Sequence, residues 1–118
     1  MRIRTEQLQA LFAKHNRDFV ERLEQHVADC FPKHIQHIGK GAITTRLHQA
    51  VGEAKHYGLE SQLAIAFYTD VCIALAPRDI AVIPGALDVL DDDHLDGDSK
   101  ARIISDLAVA FLESPTVN

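Results

Sequence analysis

Residues 63–76 read L-A-I-A-F-Y-T-D-V-C-I-A-L-A, a run in which only Thr69 and Asp70 are polar. A helix that is apolar on nearly every side has to be enclosed on every side. Gly58 upstream fits the C-cap of a preceding helix, and Pro77 closes the run because proline cannot continue a helix. A membrane span would need about 20 apolar residues, and this run is shorter and interrupted by a carboxylate. The segment therefore predicts the central helix, near residues 61–76, of a soluble all-α bundle with about five to six helices.

The rest of the chain supplies the walls of that bundle. At 118 residues it fits one domain, large enough to bury roughly two thirds of the surface its unfolded form exposes. Aromatic residues make up 6% and tryptophan is absent, so the 47% hydrophobic fraction is carried mainly by aliphatic side chains that suit helix packing. Leu8, Phe12, Phe19, Leu23, Val27 and Cys30 recur at spacings near 3.6 and predict an amphipathic helix over residues 5–30. Pro32 opens or precedes a short helix over 33–38, anchored by Ile35 and Ile38, and Gly39 and Gly41 are read as breaking the chain. Ile43, Leu47, Ala50, Val51, Ala54 and Tyr57 mark a further helix ending at Gly58, with Gly52 read as the sign of a close helix crossing. Residues 78–83 are irregular, and Pro84 is read as the first residue of a helix carrying Ala86, Leu87, Val89 and Leu90. Residues 91–100, D-D-D-H-L-D-G-D-S-K, form a loop before a last helix with Ile103, Ile104, Leu107 and Ala108 on its apolar side, capped by Asp98 or Ser99.

Charge is divided unevenly along this framework. Residues 1–58 hold nine Lys and Arg against six Asp and Glu, whereas residues 59–118 hold three against eleven, so the halves carry +3 and −8. An acid block of that size disfavours nucleic acids and anionic membranes, whose binding rests on phosphate neutralisation by Lys and Arg. A basic protein partner is the compatible choice, and a solubilising surface is the plainer one. The crowd of Asp91, Asp92, Asp93, Asp96 and Asp98 is the first candidate contact, because mutual repulsion there is relieved when a basic surface meets it.

No pattern for chemistry is complete. His34 with His37, and His26 with Cys30, have helical spacings that could each offer two ligands from one face, but a zinc site needs three or four. Asp92, Asp96 and Gly97 match three positions of a calcium-binding loop, and His94 and Ile103 then violate it. Cys72 has no histidine near it in sequence and an apolar setting that raises its pKa, and no phosphate-cradling loop follows Gly39 and Gly41. The expectation is a chain with no catalytic residues, no metal and no cofactor. Asp70 is the one residue that unsettles this, since an unpaired buried carboxylate costs several kcal/mol. The simplest reading makes Thr69 and Asp70 a narrow polar edge reaching solvent; the alternatives are a buried ion pair, for instance with an arginine, or a contact to another protein. Both cysteines lie in apolar helical patterns and read as free buried thiols, and the N-terminal residues lack the apolar core of a signal peptide, which together suggest the cytoplasm.

F-V-E-R-L-E-Q-H-V-A-D-C-F-P at 19–32, I-G-K-G-A-I-T-T-R-L at 38–47 and A-K-H-Y-G-L-E-S-Q-L-A at 54–64, followed by the apolar helix, together resemble small all-helical proteins encoded beside effector genes in bacterial type VI secretion clusters. The resemblance spans residues 19–90, about three fifths of the chain. Where such relatives carry an aspartate-rich D-F-D-x-D-P-like segment after the apolar helix, residues 77–84 here read P-R-D-I-A-V-I-P. The resemblance implies a helper that binds an effector or its loading chaperone before secretion, and it carries over no catalytic residue. The alternative reading is an immunity protein that neutralises a cognate toxin, because an acid block can cover a basic groove. A metal-binding helical enzyme using His26, Cys30, His34 and His37 is the least favoured of the three.

Overall fold

The computed structural model describes residues 19–113, which form an all-α structure of six helices: α1 (Phe19–Cys30), α2 (Pro32–Ile38), α3 (Lys40–His56), α4 (Gln62–Leu75), α5 (Ala86–Leu90) and α6 (Gly97–Glu113), with a 3₁₀ turn at Ile80–Val82. The part of the first predicted helix that precedes Phe19 lies outside the described residues. Among the described residues no helix is long and apolar enough to cross a membrane.

The apolar run is the centre of the molecule, as its composition requires. Eleven of the 14 residues of α4 are buried, which leaves only Gln62, Leu63 and Phe67 partly exposed. Helix α4 packs most extensively on α3 and α6, and α1 and the 3₁₀ turn cover more of it. Leu23 and Val27 from α1, Leu47, Ala50 and Ala54 from α3, Ile80, Leu90 from α5, and Ile104 and Ala108 from α6 complete the core, each 3% exposed or less. Each large aliphatic side chain so removed from water contributes roughly 1.5–3 kcal/mol.

Local signals fix the ends of the elements. Helix α3 stops in two nested bonds, Gly58 N–H to Lys55 C=O at 3.1 Å and Leu59 N–H to Ala54 C=O at 2.9 Å, with Gly58 left-handed at φ 85° and Leu59 fully buried. That arrangement satisfies carbonyls which the helix end would otherwise leave open, and the positive φ favours glycine. Ser61 then caps α4, its Oγ accepting from Ala64 N–H at 3.0 Å. The 57–61 connection brings α3 and α4 together as neighbours.

Five sequence expectations are corrected here. Only Gly39 breaks the chain between α2 and α3; Gly41 lies inside the first turn of α3. Gly52 marks no close crossing, because it is exposed and a Cβ there would meet nothing within 4 Å. The close approach belongs to Gly97, where a Cβ would lie 2.5 Å from the Gly58 carbonyl oxygen and 2.9 Å from the Leu59 Cα. Pro84 does not open a helix, since the chain turns through left-handed Gly85 and α5 begins at Ala86. The last helix starts at Gly97, inside the expected loop, and its cap is Asp96 rather than Asp98 or Ser99: Asp96 Oδ1 accepts from Ser99 N–H at 2.7 Å.

Candidate functional site

Helix α1 presents Leu23, His26, Val27 and Cys30 on one face, at successive offsets of three, one and three residues. Leu23 and Val27 enter the core, and His26 sits between them at 6% exposure. Helix α4 crosses beneath and carries Asp70, 2% exposed. The two side chains meet at 2.8 Å, His26 Nε2 to Asp70 Oδ2. Asp70 is therefore not part of a solvent-reaching polar edge. The surrounding helices enclose α4 at Thr69 and Asp70 as completely as elsewhere, and the carboxylate's partner is a histidine.

The pair is incompletely satisfied. Asp70 Oδ1 and Thr69 Oγ1 are buried and lack a hydrogen-bond partner among the described residues. Burial pushes the Asp70 carboxyl above its ordinary range, and both the hydrogen bond and the charge of His26 oppose the rise. A buried acid in that position depends on this partner.

The second ring nitrogen of His26 faces a thiol. Cys30, one turn along α1, places Sγ 3.6 Å from His26 Nδ1. This thiol is exposed, contrary to the expectation of burial, because Cys30 is the last residue of α1 and Phe31 takes the covered position beyond it. Thiol, imidazole and carboxylate thus stand in series, with the imidazole oriented by a third group, which is the general layout of an activated nucleophile. Bonding of Nε2–H to the carboxylate leaves Nδ1 as the acceptor that faces sulfur.

Other histidines are committed elsewhere. His34 on α2 donates from Nε2 to the Ala74 carbonyl of α4 at 3.2 Å and packs edge-on against Phe31, so it does not join His37 as a ligand pair. His48 pairs with Glu24 at 2.9 Å on the surface between α3 and α1. No group of three or more His, Cys, Asp and Glu side chains among the described residues is arranged to hold a metal ion.

A second polar cluster joins α3 to α4. Arg46 reaches Glu53 with Nη1 to Oε2 at 3.0 Å, and the buried Tyr68 hydroxyl donates to Glu53 Oε1 at 2.8 Å. Burial acts to lower the Arg46 guanidinium, but the bond to Glu53 and the charges of Glu53, Cys72 and Tyr68 together outweigh it and hold the group above its ordinary value. Burial raises the Tyr68 hydroxyl, so it keeps its proton and remains the donor. Cys72, beside this cluster, is buried and its thiol is pushed up to about 12, burial outweighing the pull of Arg46. That thiol is inert at neutral pH.

The acidic loop has local duties as well as exposure. Asp91, Asp93, Asp96 and Asp98 are exposed and Asp92 is half-buried. Asp92 Oδ1 accepts from His94 N–H at 2.9 Å, Asp96 caps α6, and Asp98 accepts from Ser61 Oγ at 2.8 Å. The bonds from Ser99 hold the Asp96 carboxyl below its ordinary value. Asp91 and Asp93 carry none of these local bonds and are the freest to meet another surface. The sequence reading missed the joining of His26 and Asp70, which are 44 residues apart. The available signal was the placement of His26 inside an otherwise apolar stripe, opposite a helix whose only carboxylate lacked a local partner. Comparison with protein-family models, with curated proteins and with solved structures finds no match to this chain.

Proposed function

We propose that this chain is a non-enzymatic protein-binding helper, an effector co-chaperone or adaptor of a bacterial type VI secretion system. Support comes from the resemblance of residues 19–90, whose three quoted segments fall on α1, on the first half of α3 and on the turn into α4. The observation that carries the binding part of the reading is the surface charge. From Glu60 to Glu113 every acidic residue except Asp70 is at least partly exposed, and of the three basic residues in that span Lys100 is buried with Nζ on the Tyr57 carbonyl at 2.9 Å. Arg78 and Arg102 are left as the exposed cations among many acids. Such a surface suits a basic protein partner by complementarity and steered association.

The same acidity favours a second reading, an immunity protein that covers a basic toxin groove. Deleting the gene separates the two: loss of effector secretion with normal survival supports the adaptor, and sensitivity to the neighbouring toxin with normal secretion supports immunity. Coexpression with the products of the adjacent genes, followed by size-exclusion chromatography, tests both, and the absence of a complex with any of them rejects both.

A further inference from the structure

We propose that Cys30, His26 and Asp70 form a thiol-exchange site at the end of α1, at which low-molecular-weight disulfides modify Cys30. The proposal stands apart from the adaptor reading and rests on geometry alone. Cys30 is exposed, its Sγ lies 3.6 Å from His26 Nδ1, and His26 Nε2 lies 2.8 Å from Asp70 Oδ2. Both positioning groups are buried and tied to different helices, so the ring cannot turn without breaking the link between α1 and α4.

In the exchange, His26 Nδ1 takes the proton from Cys30 as the sulfur attacks one sulfur of a disulfide R–S–S–R. The new Cys30–S–S–R bond forms as the old S–S bond breaks, the second sulfur leaves as RS⁻, and the proton on His26 returns to it or to water. No outside oxidant is needed, because the disulfide is itself the co-reactant. Asp70 is a positioning residue: it accepts the Nε2 proton and so keeps Nδ1 turned to sulfur in the tautomer that can receive one.

Two neighbours work against a thiolate at this position. The carbonyl dipoles at the C-terminal end of α1 point their negative ends at Cys30, and Asp29, held by Gln25 at 3.0 Å, adds a carboxylate in the same turn. Among the described residues, His26 is the group placed to offset them. Cys72 is an internal control, since it is enclosed in α4.

The test incubates the full chain with glutathione disulfide at about pH 6, where unpaired thiols are almost wholly protonated, and follows adduct formation at each cysteine by peptide mass mapping. Cys30 of the native protein should form the adduct about tenfold faster than Cys30 of the same chain in urea, after allowing for the lower nucleophilicity of a less basic thiolate. Cys72 should react only in urea. His26→Gln should reduce native Cys30 to its urea rate. Asp70→Asn should slow it as well and shift the ring proton of His26 from Nε2 to Nδ1 in the imidazole ¹⁵N spectrum, a change that a purely structural role would not produce. Native Cys30 reacting no faster than in urea overturns the proposal even if neither variant folds, and so does an unchanged rate in a folded His26→Gln protein.

Discussion

Replacing His26 with alanine removes the one partner that a buried carboxylate has among the described residues. Asp70 Oδ1 has no partner among the described residues already, so the substitution leaves both oxygens of an enclosed carboxylate without one. Breaking a buried pair in this way costs about 3–5 kcal/mol. That is a large share of the roughly 5–15 kcal/mol that holds a domain folded. An exposed pair offers the contrast: His48 and Glu24 are 2.9 Å apart, but their side chains are 56% and 39% exposed, and His48→Ala should cost at most about 1 kcal/mol. The pH dependence sharpens the test. Without His26 the hydrogen bond and charge that pull the Asp70 carboxyl down are lost, and burial raises it further. The folded protein then holds a proton that the unfolded chain releases above its ordinary carboxylate value near 3.9, so stability falls as pH rises from there through the raised folded value. The deficit of His26→Ala against the natural chain should be larger at about pH 8 than at about pH 4. Urea unfolding followed by far-UV circular dichroism at both pH values measures it. A loss under about 1 kcal/mol at the higher pH, or a deficit that does not shrink on acidification, would refute the reasoning.

Two glycines should respond in opposite directions to alanine. Gly97→Ala drives a Cβ into the Gly58 and Leu59 backbone, which the end of α3 fixes, and should destabilise by at least about 1–3 kcal/mol; Gly52→Ala fills open space in an exposed helix and should stabilise by up to about 1 kcal/mol, both read by thermal unfolding. Exchanging Asp92, Asp93 and Asp96 for asparagine keeps an oxygen for the His94 and Ser99 amides, so helical content should be unchanged. If the loop meets a basic partner, that triple variant should associate more slowly and with a flatter salt dependence by surface plasmon resonance. An unchanged on-rate at low salt would leave these acids a solubilising role only.

The elements were legible wherever local chemistry decides the outcome. The expected central helix, near residues 61–76, differs from α4 by one residue at each end, because Gly58, Ser61 and Pro77 punctuate it independently of the remaining fold. Pro84 and Gly41 misled for the complementary reason: a proline suits the start of a helix and a glycine suits a break, but each also fits nearby geometry, and tertiary packing selected Gly85 and Gly39 as the turning points. Gly52 and Gly97 show the same limit, since a missing side chain signals close approach only once the opposing backbone is known. The site divides along this line too. The helical offset of His26 and Cys30 was visible in sequence and invited a metal reading, whereas the contact that orients the ring comes from Asp70 on another helix, and no periodicity encodes it. Exposure of Cys30 depends on where the stripe runs off the end of α1, a distinction of one residue between Cys30 and the buried Phe31.

The buried link between α1 and α4 organises the polar interior, and the protonation of one nitrogen reports on it most directly. A long-range ¹H–¹⁵N spectrum of the imidazole rings at neutral pH should show His26 with Nε2 protonated and protected from solvent exchange, whether or not Nδ1 also carries a proton. A His26 ring with the proton on Nδ1 and a bare Nε2, or one that exchanges as freely as the exposed His37, would contradict a 2.8 Å bond from Nε2 to Asp70.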